Sequence, residues 1–403
     1  MIQLNISQFI KEQITKREKS FFSQDISNNN DNLLKEIEHK NVLVIGGGGT
    51  IGSSYIKSIL PFRPAKVVVI DTNENGLTEL VRDIRSTKGL FVPEEFITYP
   101  VNLGDAVFEK LYAFHKPFDV VANFAAHKHV RSEKDIFSVE AMVQNNVFYA
   151  YRLLQLIEKD MPSHFFCVST DKAANPVNIM GASKKLMENI VMEYADVLPC
   201  TTARFANVAF SNGSLLDGFI HRLMKRQPLS VPADVKRYFV SPRESGDICM
   251  LSCMLGQTGD IFFPKLDDSQ LTSFIDITDR FLHANGFSLD RCSSEQEAKE
   301  KAALLVQGSK SYPVYVFESD TTGEKLYEEF YTADETVDWH LFEALGVIKK
   351  AAEKDKKAKA AIADLKDVFN SDNNEKQKIV AVLSKHLSTF EHIEKSKGLD
   401  SKM

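Results

Sequence analysis

The chain predicts an α/β fold, a doubly wound parallel sheet with helices on both faces, and three observations carry that expectation. Four short apolar runs rich in β-branched and aromatic residues alternate with segments of helical periodicity: NVLVIG at 41–46, KVVVID at 66–71, FDVVAN at 118–123 and HFFCVST at 164–170. Each run is nearly continuous in its hydrophobicity, so both faces of the strands must be covered, as in a buried parallel sheet. The first run leads directly into a cluster of glycines. In such a sheet ligands bind beyond the carboxyl ends of the strands, so the residues that follow each run are the ones to examine for function.

After the first run, VLVIGGGGTIGSSY places Gly46, Gly49 and Gly52 between a strand and the opening of a helix, with Thr50 and Ile51 in the same turn. Glycine permits a tight turn and a close approach of backbone to a pyrophosphate, which the helix N-terminus then faces. A glycine cluster alone is weak evidence, because ordinary turns also want glycine. Here the second run supplies the missing context by ending in Asp71 about 20 residues further on, the spacing of a dinucleotide site. An acid at that position accepts hydrogen bonds from the ribose hydroxyls and repels a 2′-phosphate, which favours NAD over NADP. The competing role for Asp71 is to cap the helix begun by NENGLTEL. Asn102, in YPVNLGD after the expected third strand, is a candidate adenine contact, and Ala125, just past FDVVAN, completes the expected cofactor set.

Composition bounds the rest. With 403 residues, 43% hydrophobic and 10% aromatic, the chain can bury a substantial core. A formal charge of -6 gives no general attraction for nucleic acid or anionic membrane. No apolar run approaches the ~18 residues that span a bilayer. The opening MIQLNISQFIKEQITKREKS has no signal-peptide core, so a cytoplasmic protein is expected. The five cysteines read as reduced packing residues, including the helix-spaced Cys249 and Cys253, and no metal site is expected.

Four regions follow: a helical arm at 1–40 broken by the polar loop SNNNDN, a dinucleotide-binding region at 41–210, a mainly substrate-binding region at 211–337, and a helical extension at 338–403. In the extension Ile362, Leu365, Val368 and Phe369, then Ile379, Val380, Leu383 and Leu387, recur at helical spacing and predict two helices, with Asp372 and Glu375 marking the start of the second. Its lysines alternate with acids and lack interleaved aromatics, so KKAAEKDKKAKAA reads as a solvated face rather than a nucleic-acid patch.

FDVVANFAAHKHVRSE, QNNVFYA, STDKAANPVNIMGASKK, ARFANVAFSNGS, KRYFVS and GEKLYEE occur in this order over roughly 41–335. Together they resemble the UDP-N-acetylglucosamine 4,6-dehydratases of bacterial polysaccharide and glycan synthesis, in the extended short-chain dehydrogenase/reductase superfamily of Rossmann-like folds. The most specific element is STDKAANP with MGASKK. Most of the superfamily has a tyrosine four residues before the lysine, whereas Lys184 is preceded at that distance by Met180, as in the larger dehydratases of this family.

The resemblance implies a reaction in which hydride leaves C4 of the sugar for NAD, the C5 proton is removed, the C6 hydroxyl departs as water, and the hydride returns to C6. It further implies Lys172 as the C5 base and Asp171 as the acid at the C6 hydroxyl or at O4, a division that stays open to exchange. An acid and an amine paired in a closed site are suited to proton transfer. Met180 has no proton to give and fills space. The resemblance also implies that Lys184 binds the nicotinamide ribose, that Thr170 hydrogen-bonds O4, and that Asn146 supports the active-site helix. For the uridine diphosphate it implies Asn207, Ser214, Arg237 and Glu324, with Lys128 near the sugar or phosphates. His127 and His129 flank Lys128 and read as hydrogen-bonded structure. Two departures stand out: Thr321 occupies a position where the family has arginine, for which Arg243 could compensate, and Arg131 replaces a proline. A homo-oligomer is implied. The alternatives are a UDP-sugar 4-epimerase, which returns hydride to C4, and a cofactor-bound sensor or scaffold that performs no chemistry.

Overall fold

The computed structural model describes residues 4–319, 329–349, 357–371 and 375–393. Its first five strands are β1 (Asn41–Ile45), β2 (Lys66–Ile70), β3 (Glu95–Tyr99), β4 (Val120–Asn123) and β5 (His164–Val168), and β6 follows at Cys200–Ala203. They pair in parallel in the spatial order 3-2-1-4-5-6. This is the doubly wound order with its switch point between β1 and β4. Alternation along each strand divides the interior: Val42, Val44, Val67 and Val69 join the core on one face, while Leu43, Ile45, Val68 and Ile70 join the core on the other. The α/β expectation therefore holds, for the reason that predicted it.

The sheet continues beyond residue 210. Ile261–Pro264 pairs in parallel with β6, then Leu345–Ile348 and Val337–Asp338 add antiparallel strands at that edge. Neither 210 nor 337 is a structural boundary. Without Ile261–Pro264, β6 would present an unpaired edge, and the Thr202 and Arg204 amides that now donate to Asp260 and Phe262 carbonyls would lose their partners.

Between these excursions, the smaller region forms over the carboxyl end of the main sheet. Ser288–Cys292, Ser311–Phe317 and Leu229–Pro232 make a parallel three-stranded sheet. Its core contains Phe219, Leu229, Val231, Phe281 and Val314. The N-terminal arm threads between cores: Phe9, Ile10 and Ile14 enter the small one, and Phe22, Leu33 and Ile37 enter the large one. Arg17 locks the passage through two hydrogen bonds to the Glu244 carboxylate, at 2.7 and 2.9 Å. SNNNDN is not the expected loop. Helices Ser23–Asn28 and Asn30–Ile37 run through it and break only at Asn29, because burial of Leu33 and Ile37 outweighs the weak helix preference of asparagine.

The extension forms two helices, Ala358–Phe369 and Lys376–His386. Glu375 occupies the cap position of the second, and Asp372 lies outside the described residues. Their apolar faces (Ala361, Ile362, Leu365, Ile379, Leu383) share a core with Leu186, Ile190 and Tyr194 of the helix Ile179–Tyr194. Among the described residues no helix is long and apolar enough to cross a membrane.

Candidate functional site

Two adjoining clefts open at the carboxyl end of the sheet. The first, about 260 Å³, is lined by Gly46, Gly49, Thr50, Ile51, Gly52, Asp71, Asn102 and Ala125 among others, which gathers every residue singled out in the sequence for a dinucleotide except Lys184. Gly46 has φ +78°, and a Cβ there would lie 2.6 Å from the Ala125 nitrogen, so only glycine lets β1 turn this close to the end of β4. The helix Thr50–Ile59 begins at Gly49 with no side-chain cap, which leaves its first amides free to face the cleft.

Asp71 does not cap the following helix. That cap is Asn73, whose Oδ1 accepts from the Gly76 amide at 3.0 Å. Asp71 instead accepts from the Gly48 and Asn73 amides, at 2.9 and 2.8 Å, and so ties the glycine turn to the end of β2. An ionised carboxylate has about four acceptor sites, so capacity is left for a ligand hydroxyl. Asn102 turns its Oδ1 to the Gly104 amide at 2.7 Å.

The second cleft is a cavity of about 300 Å³ that shares Ile51, Phe124, Ala126 and Lys128 with the first. Thr170, Asp171, Lys172, Met180, Lys184, Asn207 and Ser214 line it, and no tyrosine does among the described residues. β5 leads into this wall: Thr170 caps the short 3-10 turn Asp171–Ala173 just past the strand. Asp171 is 3% exposed, and its Oδ1 accepts from the Thr170 hydroxyl (2.8 Å), the Lys172 amide (2.9 Å) and the Lys172 Nζ (3.1 Å). Carboxylate, hydroxyl and amine thus converge on one oxygen at the cavity wall.

Lys184 rises from the helix Ile179–Tyr194 and donates to the Val168 carbonyl at 2.6 Å. Burial lowers its pKa, opposed by the Cys167 thiol and the Glu188 carboxylate nearby. Met180 is 2% exposed and offers only apolar surface and a weak acceptor. Asn146 accepts from the His127 amide and donates to the His127 carbonyl and the Ser183 hydroxyl, so it joins the loop after β4 to the active-site helix. Crowding lowers the pKa of Lys128, and Asp217 offsets part of that. Ser214 caps the helix Leu215–Met224 by accepting from the Asp217 amide at 3.2 Å.

Of the expected substrate residues, Arg237 is not among the described lining of this cavity. Arg237 is buried on a two-residue strand paired with Thr272–Ser273, donates to the Lys236 carbonyl, and lines neither cleft. Glu324 lies outside the described residues, as does Thr321. Arg243, considered as a replacement cation, has an exposed side chain 3.8 Å from Asp247 and is absent from both linings.

Sequence reasoning overlooked two features. One is the apolar wall of the cavity, formed by Phe205, Leu215, Leu216, Phe239 and Phe274 from separate segments. The other is a buried ionic cluster behind it. Arg204, fully buried, makes bidentate contacts with Glu188 (2.8 and 2.7 Å) and Glu335 (both 2.8 Å) and donates to the Phe330 carbonyl. Burial would raise the pKa of Glu188, but Arg204 and Lys185 outweigh it and hold the carboxyl at about 2. The signal was present in the sequence: an arginine inside the apolar run CTTARFANVAF requires a buried partner.

A family profile described as "Polysaccharide biosynthesis protein" matches residues 42–350. The chain belongs to that family. Family members resembling it include the probable polysaccharide biosynthesis protein EpsC of Bacillus subtilis, 27% identical over 75% of this chain and 47% of its own length. The inverting UDP-N-acetylglucosamine 4,6-dehydratase of Campylobacter jejuni is 23% identical over 70% of this chain and 81% of its own. A UDP-glucose 4-epimerase of Rickettsia prowazekii is 27% identical over 56% of this chain and 66% of its own. The chain spans about half the length of the capsular and exopolysaccharide relatives CapD and EpsC. Among solved structures, Pen from Bacillus thuringiensis superposes with a TM-score of 0.63 at 21% identity, covering 79% of this chain and 89% of that one. DesIV of Streptomyces venezuelae, a dTDP-glucose 4,6-dehydratase, superposes at 0.54 and 18% identity, covering 72% and 88%. These likenesses confirm the fold.

Proposed function

We propose that the protein is an NAD-dependent 4,6-dehydratase of UDP-N-acetylglucosamine. The observation that carries this reading is the pair of buried Asp171 and half-buried Lys172 on the wall of a cavity where Met180 stands in place of a phenol. The glycine-lined cleft fits the cofactor. Gly46 and Gly49 keep its floor free of side chains, the uncapped amides at Thr50 suit a pyrophosphate, and Asp71 keeps acceptor capacity for ribose hydroxyls. Lys184 lines the neighbouring cavity, which shares Ile51, Phe124, Ala126 and Lys128 with this cleft. When bound, NAD supplies the hydride acceptance at C4 and its return at C6.

The chain's own residues supply the proton traffic. Asp171, with Thr170 donating to it, takes the O4 proton as the alcohol becomes a ketone. The ketone acidifies C5–H, which Lys172 removes in its amine form. Asp171 passes its proton to the C6 hydroxyl, which leaves as water, and Lys172 returns its own proton to C5. Both groups end as they began, and the sugar has lost one water. The apolar wall of Phe205, Leu216, Phe239 and Phe274 excludes solvent that would compete for these protons.

The test is incubation of the purified protein with UDP-N-acetylglucosamine and mass analysis of the sugar nucleotide. Loss of one water supports the reading. A product of unchanged mass with altered C4 stereochemistry identifies an epimerase, the activity named for the Rickettsia relative. An unaltered substrate overturns both.

A further inference from the structure

We propose that His392 is a positioning residue of the active site, and that the C-terminal extension exists in part to deliver it. After the helix Lys376–His386 the chain crosses back to the STDKAANPV loop. There the Glu391 amide donates to the Pro176 carbonyl (3.2 Å) and the Ile393 amide to the Val177 carbonyl (3.0 Å). Between them the His392 ring turns inward, its side chain 10% exposed, and Nε2 stops 3.9 Å from Oε2 of Glu133, whose side chain is 4% exposed. Both atoms are buried and neither has a hydrogen-bond partner, and they face each other at ion-pair rather than hydrogen-bond distance. A buried carboxylate oxygen facing a buried ring nitrogen, each otherwise unsatisfied, is costly unless the two are partners.

Glu133 gives the pair its meaning. Its other oxygen, Oε1, accepts from the Met180 amide at 2.9 Å, at the first turn of the helix that carries Lys184. That turn rests on the catalytic segment itself: a Cβ at Gly181 would lie 2.6 Å from the Lys172 carbonyl oxygen. A line of direct contacts therefore runs from His392 through Glu133 and Met180–Gly181 to Lys172. Facing Glu133 at 3.9 Å, His392 confines the carboxylate that bonds the helix start, and the helix start packs on the turn bearing Asp171 and Lys172. Leu387 and Phe390, buried in the same core as Ile179 and Leu186, set the position from which the strap departs.

This inference relies on the proposed dehydratase reading only for its effect on turnover, so the primary readout is independent of chemistry. Amide hydrogen exchange is followed in the full-length protein, without substrate, for wild type, His392→Ala and His392→Gln. Removing the ring should speed exchange over 176–184 about tenfold, the scale of leaving one buried carboxylate oxygen with nothing facing it. The helix Lys376–His386 should keep its protection, and His392→Gln, which retains a donor, should restore most of the difference. Where wild type dehydrates the sugar, His392→Ala should lower kcat with KM unchanged. Unaltered exchange over 176–184 in His392→Ala overturns the proposal. So does simultaneous loss of protection in Lys376–His386, which would make His392 an anchor for the extension only. If wild type shows no dehydration, the exchange result still decides the role of His392.

Discussion

The two clefts share one end of one sheet, yet they are built from different materials. The glycine-lined cleft takes half of its lining from one continuous β–helix–β unit, residues 45–72, and the rest from the segments that follow β3 and β4, with Asn145 beside them. At its glycine turn backbone packs against backbone, and the constraints there are steric. The neighbouring cavity draws side chains from the loops after β4 and β5, the helix Ile179–Tyr194, the segment 205–216, and Phe239 and Phe274 of the smaller region. It is held from behind by the Glu188–Arg204–Glu335 cluster, and its constraints are electrostatic. The first cleft should fail when an atom is added, and the second when a charge is removed.

The largest effect is expected where that charge does chemistry. Asp171→Asn and Lys172→Ala should each lower turnover by about 10²–10⁴-fold, the usual contribution of a positioned acid or base. NAD binding and thermal stability should stay close to wild type, because the glycine-lined cleft does not depend on either side chain. Product mass and cofactor titration measure the two sides of the comparison separately. Normal turnover in both variants would remove the pair from the mechanism.

Next comes the cluster behind the wall. Arg204→Ala leaves two carboxylates facing an emptied interior and should cost about 3–5 kcal/mol of unfolding free energy. The same cluster carries a pH signature. The Glu188 carboxyl binds its proton less tightly folded than unfolded, being held at about 2 against an ordinary value of 4.5. Its stabilisation is therefore complete above pH 4.5 and lost as pH falls towards 2. The stability difference between wild type and Glu188→Gln, measured by denaturant unfolding, should shrink over that window. A difference that is constant with pH would show that packing rather than charge holds the wall.

A steric pair tests the other cleft. A Cβ at Gly52 would lie 2.3 Å from the Gly46 carbonyl oxygen, whereas one at Gly49 meets only that same oxygen at 3.5 Å. Gly52→Ala should destabilise the fold by about 1–3 kcal/mol through overpacking. Gly49→Ala should leave stability within about 0.5 kcal/mol of wild type while weakening NAD binding. Equal effects on stability would mean that both glycines serve packing and that neither is reserved for a ligand.

How much of this was legible in the sequence follows the same division. NVLVIGGGGTIG with KVVVID shows the glycine turn and its acid because strand, turn, helix and strand are contiguous, and periodicity reports contiguous structure well. STDKAANP and MGASKK place Asp171, Lys172, Met180 and Lys184 because they flank one strand and open one helix. Arg237 is expected from the sequence to be a diphosphate ligand; its strand pairs antiparallel with Thr272–Ser273, next to Phe274 of the cavity wall, and no local pattern reports a pairing partner 35 residues away. The strands at 261–264 and 345–348 were hidden for the same reason. IFFP and LGVI are too short to signal a strand alone; IFFP pairs with the edge that β6 offers, and LGVI with the edge that IFFP then offers. SNNNDN misled because local asparagine preference yields to burial of Leu33 and Ile37.

The smallest expected effect concerns Met180, where the two kinds of constraint meet. Its side chain is nearly fully buried on the cavity wall and, lacking a titratable proton, can contribute only shape. Its backbone carries the hydrogen bond to Glu133 whatever the side chain is. Met180→Leu conserves volume, so stability should change by less than about 1.5 kcal/mol. Turnover should fall by no more than about tenfold, the factor that 1.4 kcal/mol of misplacement would produce. The pH profile of turnover should keep its shape, since no proton-bearing group is added or removed. A loss of turnover as large as that in Lys172→Ala, at unchanged stability, would mean that the thioether itself touches the reacting sugar, and space-filling would no longer account for the residue.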